Sequence, residues 1–296
     1  MAARRHQERR RNRGRFGGLY TLLSVLLVFA AVLAACVVFF RVNRMEVEGS
    51  VRYTAQEVIE ASGVKQGDYL FLVNRPQATS AILQRLPYVR KVALERRLPD
   101  AITFHITESR AAAVVTSQDG CWIIDARGKL LEELASPEER GNLPLVYGFS
   151  PVEPRVGTQV QASGEEQLAL DHLRSLLAAI DSYGLNDWLY GFIDLRDPGT
   201  IYMGCSSILT VALPQGGDFD HKIFSLRRVL ETYYQRGETI TGTLYLTYGE
   251  NQARLLPNLW HPQDWTAAAV QETEPAVQEP SDPLSDVVPE APSIAE

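Results

Sequence analysis

The uncharged run Leu19–Phe40 constrains this chain more than any other stretch. An apolar segment of about 20 residues at about 1.5 Å rise each covers a hydrocarbon core of about 30 Å, and a helix satisfies its own backbone there. The spacing predicts a single transmembrane helix over 19–40, in contact with the lipid bilayer. Before it, Arg4, Arg5, Arg9, Arg10, Arg11, Arg13 and Arg15 face one acid, Glu8. Arginines beside a span stay on the cytoplasmic side, so residues 1–18 form a basic cytoplasmic arm and the chain after Phe40 is expected outside the cytoplasm. A cleaved secretory signal has a shorter apolar region that ends at small residues, whereas this one continues through Val37, Val38, Phe39 and Phe40. A second alternative is Leu33-Ala34-Ala35-Cys36, which has the form of a lipidation site, although apolar sequence continues beyond the cysteine.

The rest of the 296 residues suffices for two modest domains. The net charge of -7 conceals an asymmetry, because no Lys or Arg follows Arg254. The basic arm reads as a topology signal with affinity for anionic headgroups and gives no reason to expect nucleic acid. Cys36 falls in the apolar run; Cys121 and Cys205 are expected as separate small apolar residues, with a disulfide between them as the alternative.

Almost no linker follows the apolar run. Met45-Glu46-Val47-Glu48-Gly49 alternates as a strand does, and Thr54-Ala55-Gln56-Glu57 has capping-box spacing ahead of a short helix that Gly63 ends. Tyr69–Val73 is apolar. A second helix starts near Pro76, shows Ala78, Ile82 and Leu86 on one face and stops at Pro87. Two strands complete the unit: Val89–Arg97, then Ile102, Phe104 and Ile106 alternating with Thr103, His105 and Thr107, around the turn residues Leu98-Pro99-Asp100. His105 is expected on the face opposite the apolar row.

This strand–helix–helix–strand–strand order resembles a POTRA domain. The hairpin Arg96-Arg97-Leu98-Pro99-Asp100-Ala101-Ile102-Thr103-Phe104-His105-Ile106-Thr107-Glu108, preceded by Leu86-Pro87-Tyr88-Val89, resembles that of the FtsQ/DivIB family of bacterial cell-division proteins. In that family a proline closely follows the glutamate; here Ser109-Arg110-Ala111-Ala112-Ala113 lacks it.

Downstream the chain is β-rich with two helices. Val114-Val115 opens the region, Cys121–Ile124 and Lys129–Leu131 flank an Asp125-Ala126-Arg127-Gly128 turn, and Leu145–Phe149 holds a short strand. Ser163-Gly164-Glu165-Glu166 has capping-box spacing before the stripe Leu173, Leu176, Leu177 and Ile180. Strands are expected at Gly191–Leu195, Thr200–Met203 and Ile208–Leu213. A helix from Asp220 carries Ile223, Leu226, Leu230 and Tyr233, and strand segments follow at Gly242–Tyr248 and Gln252–Pro257. Past Trp265 the chain is rich in Pro, Glu, Ala and Ser without a positive charge, a composition expected to stay disordered. The organisation expected is therefore α+β: a transmembrane helix, a POTRA domain over 44–110, a mixed β domain with two helices over 111–262 and a tail over 263–296. An acidic, dispensable tail fits the DivIB branch of the family.

No catalytic constellation emerges. His6, His105, His172, His221 and His261 have no metal-ligand spacing, and neither a cofactor nor a metal is expected. Ser62-Gly63-Val64-Lys65 has a Ser-x-x-Lys form but straddles a helix end, and Asp194, Arg196 and Asp197 read as a strand end and its turn. The family resemblance implies a non-catalytic scaffold of the division machinery at the septum. Its partners would be the FtsL-like and FtsB/DivIC-like single-span proteins and, through them, the septal peptidoglycan synthase. The resemblance places the partner contact at Tyr248 and along Glu250, Asn251, Gln252, Ala253, Arg254 and Leu255, with Tyr233 and Tyr234 lining a groove; ordinary core packing of the leucines is the alternative there. Two other functions remain open: a POTRA protein handling polypeptides in secretion or envelope assembly, for which tandem POTRA repeats or a barrel would be expected, and an extracytoplasmic hydrolase.

Overall fold

The computed structural model describes residues 16–118, 120–164, 166–248 and 252–264. The expected arm lies outside the described residues up to position 15, as does the expected tail from 265 onward. Helix α1 (Phe16–Phe39) occupies the apolar run, and the side chains described over 19–32 are all exposed. Among the described residues no helix is long and apolar enough to cross a membrane; within α1 the described side chains are those of 19–32 and Phe39.

The first folded unit contains β1 (Arg44–Glu48), α2 (Ala55–Ser62), α3 (Arg75–Arg85), β2 (Val89–Arg97) and β3 (Ala101–Glu108). Its sheet order is β1-β3-β2, with β1 parallel and β2 antiparallel to the central β3. The local signals act as the sequence requires. Thr54 and Glu57 complete a reciprocal capping box, and Gly63 closes α2 in the left-handed region at φ +71°. Asn74 caps α3, accepting from the Gln77 N–H, with Pro76 in the first turn. Ile102, Phe104 and Ile106 meet Val58, Ala78 and Ile82 in a buried core. His105 is half-buried on the other face, with its two ring nitrogens 3.1 Å from Glu48 Oε2 and Glu95 Oε2.

The second unit is a nine-stranded sheet with two long helices. Its strands are β4 (Ala111–Ser117), β5 (Gly120–Asp125), β6 (Leu130–Leu134), β7 (Leu145–Tyr147), β8 (Leu189–Asp194), β9 (Thr200–Cys205), β10 (Leu209–Pro214), β11 (Gly242–Tyr248) and β12 (Gln252–Leu256). They stand in the order β12-β11-β10-β9-β8-β7-β4-β5-β6. Helices α4 (Gln167–Ser182) and α5 (Phe219–Arg236) bury Leu173, Leu176, Leu177 and Ile180, and Phe219, Ile223, Leu226 and Leu230, against the sheet. The capping box expected at Ser163 does not form. Helix α4 begins at Gln167 without a side-chain cap: the Glu166 N–H donates to Ser163 O at 3.0 Å, and the Glu166 carboxylate accepts the Ser150 N–H at 3.1 Å instead. At α5 the cap is Asp218, two residues before the expected start. Cys121 and Cys205 are both buried and both free, as separate residues.

The two units meet across a specific joint. Ser109 donates its N–H to Tyr88 O at 2.7 Å and its hydroxyl to Asp125 Oδ2 at 2.7 Å. A proline at 109 could not make the first of these bonds. Lys129 Nζ donates to Val89 O at 3.0 Å, and Tyr88 packs with Val114, Cys121, Ile123, Leu131 and Leu134 on the sheet face opposite the helices.

Candidate partner-binding edge

The described sheet ends at β12, whose outer side pairs with no other described strand. β12 is antiparallel to β11, with Leu244 opposite Leu255 and Tyr245 opposite Arg254, and a bulge lies between Tyr245 and Tyr248. Because side chains alternate across a sheet, the registers define two rows. One runs Met203, Val211, Leu244 and Leu255 on the face shared with α5; the other runs Tyr202, Ala212, Tyr245 and Arg254. Met203, Val211 and Leu244 are buried, while Leu255, at the open end of the row, is 39% exposed. The row therefore stops one strand short of being covered.

The second face is held by the chain that follows β12. Thr243 Oγ1 donates to Asn258 O at 2.7 Å and accepts from the Trp260 N–H at 3.0 Å, and Thr210 Oγ1 donates to Trp260 O at 2.8 Å. The Trp260 indole stacks on Tyr202 with ring centroids 3.9 Å apart and an interplanar angle of 12°. Further along, Asp264 accepts from Arg196 Nη1 at 2.6 Å, and Arg196 also binds the buried Asp194. Burial raises the Tyr202 hydroxyl pKa above its ordinary value, with Tyr245 and Asp197 adding to it. This strap fixes β11, and among the described residues no strand covers the outer edge of β12.

The residues expected to bind a partner are placed as follows. Ala253, Arg254 and Leu255 lie on β12 and are exposed. Gln252 opens β12 opposite Tyr248, which ends β11. Glu250 and Asn251 lie outside the described residues. Tyr233 is half-buried against the helix-face core, whereas Tyr234 is 66% exposed in the last turn of α5. The sequence reading missed the strap. Its one visible signal was Trp260, an aromatic residue in what otherwise reads as a polar exit loop.

Two other polar groups hold local structure. Ser62 Oγ donates to Ile59 O at 2.6 Å and accepts from Val64 N, closing the helix end, and Asp125 Oδ1 accepts from the Arg127 and Lys129 N–H groups at 2.9 Å to hold the β5–β6 turn. Among the described residues no group of three His, Cys, Asp or Glu side chains is arranged to hold a metal ion.

Comparison with known proteins bears on what such an edge serves. Residues 40–109 match the FtsQ-type POTRA domain. The chain is 31% identical over 166 residues to the cell division protein FtsQ of Corynebacterium glutamicum, an alignment covering 56% of this chain and 66% of that one. It is 29% identical over 210 residues to FtsQ of Anaeromyxobacter sp. strain K, covering 67% and 65%. It is also 25% identical over 138 residues to the cell division protein DivIB of Clostridium acetobutylicum, covering 47% and 55%. The chain belongs to the FtsQ/DivIB family. It spans just under two thirds of the length of the first two relatives and about half of the third. For an FtsQ/DivIB chain, the matched region takes in the whole first folded unit, including the hairpin that ends at Glu108.

Proposed function

We propose that this chain is a non-catalytic scaffold of the division septum, held in the cell membrane by Leu19–Phe40 with its N-terminus cytoplasmic and its folded units outside. In this reading β12 accepts a strand from an FtsB/DivIC-like partner, FtsL-like proteins join through that partner, and the septal peptidoglycan synthase is engaged indirectly. The observation that carries the proposal is the open edge of β12 at the end of a nine-stranded sheet in a chain of this family. An edge strand offers unpaired N–H and C=O groups, which give affinity, while alternating side chains set register. Here an apolar residue of the incoming strand would continue the row ending at Leu255, and an acidic one would stand beside Arg254. The arginine-rich arm and the length of the apolar run support the membrane topology.

The test is co-purification of the full-length chain with FtsB/DivIC-like and FtsL-like partners, alongside imaging of a fluorescent fusion. Stable capture and midcell signal are expected, and Tyr248→Glu should abolish capture while leaving the fold intact. Normal capture by that variant would remove the assignment of the edge.

A further inference from the structure

An apolar loop, Tyr69–Val73, follows α2. Between Asp68 and Asn74 the chain reads Tyr-Leu-Phe-Leu-Val, and the fold divides these residues sharply. Leu70 and Val73 are buried in the core of the first unit, whereas Phe71 is 57% and Leu72 is 78% exposed. The loop is not free to turn them inward. Leu70 N–H donates to Phe40 O at 3.0 Å, the Leu72 and Val73 N–H groups donate to Tyr69 O at 2.9 and 3.2 Å, and Arg96 Nη2 donates to Val73 O at 2.7 Å and Phe71 O at 3.4 Å. Two large apolar side chains are thus held outward by a backbone that is hydrogen-bonded on both sides.

Their position decides what meets them. The Phe71 ring packs edge-on against Phe40 at 5.2 Å, and Phe40 packs against Phe39, the last residue of α1, at 5.8 Å. The link from α1 into the first unit is short and paired: Val42 is fully buried, donates to Asp68 O at 2.8 Å and accepts from Gly67 N at 2.8 Å. The height of the loop relative to the end of α1 is therefore fixed. Two arginines flank it. Arg41 lies 5.2 Å from the centre of the Tyr69 ring, and Arg75, the first residue of α3, is exposed just beyond Asn74.

We propose that Phe71 and Leu72 insert into the outer surface of the bilayer that α1 crosses, with Tyr69 at headgroup level and Arg41 and Arg75 on lipid phosphates. The inference rests on the transmembrane reading of Leu19–Phe40. An apolar tip continuous with the end of a span, rimmed by an aromatic hydroxyl and cations, has the chemistry of an interfacial anchor. The result is a folded unit seated on the membrane at one orientation, which sets the direction in which the second unit and its β12 edge project.

The test uses the full-length chain reconstituted in phosphatidylcholine–phosphatidylglycerol vesicles whose acyl chains are brominated to quench tryptophan. Tryptophan is introduced singly as Phe71→Trp, Leu72→Trp, Leu26→Trp and Val51→Trp, each read as the difference from the parent protein. Val51, which is 93% exposed beyond the far end of β1, is the solvent control, and Leu26 reports the span. Loss of most of the added emission at positions 71, 72 and 26, with none at 51, is the expected result. Quenching at 26 with positions 71 and 72 behaving like 51 overturns the anchor and leaves the span standing. No quenching at 26 overturns the span and the anchor with it.

Discussion

Tyr88 Oη donates a 2.7 Å hydrogen bond to Glu132 Oε2 across the joint between the POTRA unit and the nine-stranded sheet. Arg52 completes the contact, with its guanidinium 3.7 Å from the centre of the Tyr88 ring and 3.0 Å from the same carboxylate. A tyrosine, a glutamate and an arginine from three separate stretches thus meet where one folded unit bears on the next. Burial raises the Tyr88 pKa well above its ordinary value, and the hydrogen bond to Glu132 adds to it.

Removing the phenolic hydroxyl isolates this contact. Tyr88→Phe keeps the ring over which Arg52 lies but deprives Glu132 of a buried donor, a change expected to cost about 1–2 kcal/mol. Distance measurements between spin labels on the two units should broaden in the variant, reporting a looser joint. An unchanged distance distribution together with an unchanged urea midpoint would show that apolar packing alone sets the angle.

Glu108 closes the first unit in a comparable way, at the end of the hairpin. Its carboxylate accepts from Ser50 Oγ at 2.9 Å and from the Val51 and Arg52 N–H groups at 3.0 Å, which ties the loop after β1 to the end of β3. Burial opposes ionisation, but the hydrogen bonds from Arg52, Ser50 and Val51 outweigh it and hold the carboxyl below its ordinary value of 4.5. A depressed acid stabilises the fold above its unfolded pKa and loses that contribution as pH falls through the lower folded value. Glu108→Gln should therefore lower stability by about 1 kcal/mol at neutral pH. The gap between parent and variant urea midpoints should close as the pH falls below 4.5. A gap that persists in acid would mean that shape, not charge, carries the contact.

What could be read in the sequence was what is decided locally. The Thr54–Glu57 cap, the Gly63 stop, the Asp125–Gly128 turn and the apolar stripes of α4 and α5 involve residues within a few positions of one another, and each forms in the fold. The failed cap at Ser163 shows the limit: Glu166 finds a donor in Ser150, sixteen positions away, and that contact prevails over the local motif. Strand order is equally non-local. β10 pairs parallel to β11 across the whole of α5, so the strands at Gly242–Tyr248 and Gln252–Pro257 were legible while the place of β12 at the open edge rested on resemblance. The joint was hidden for the same reason, since Tyr88 and Glu132 are 44 positions apart.

Burial also governs the thiols. The Cys205 thiol is pushed up to about 12 by burial, and Cys121 is raised by burial and then by the nearby Glu139 and Glu133. Only the thiolate reacts readily, so both should resist alkylation in the native protein and react fully in denaturant. Peptide mapping would separate them from Cys36. Rapid native labelling of Cys205 would show that the end of β9 opens.

The pairing of β12 with β11 depends on a close approach at Gly242. This residue has φ +106°, in the region that favours glycine, and a Cβ there would collide with the Leu256 carbonyl that ends β12. Gly242→Ala meets both obstacles at once, at an expected cost of about 1–3 kcal/mol. The damage should be local: β11 is also held by β10 and by the Thr243 strap, whereas β12 pairs with β11 alone among the described strands. Amide hydrogen exchange should therefore accelerate along 252–256 while α5 and β10 keep their protection. If β12 is the docking strand, capture of the FtsB/DivIC-like partner should fall in step with that loss of protection. A variant that frays β12 yet captures the partner normally would move the docking surface away from this edge.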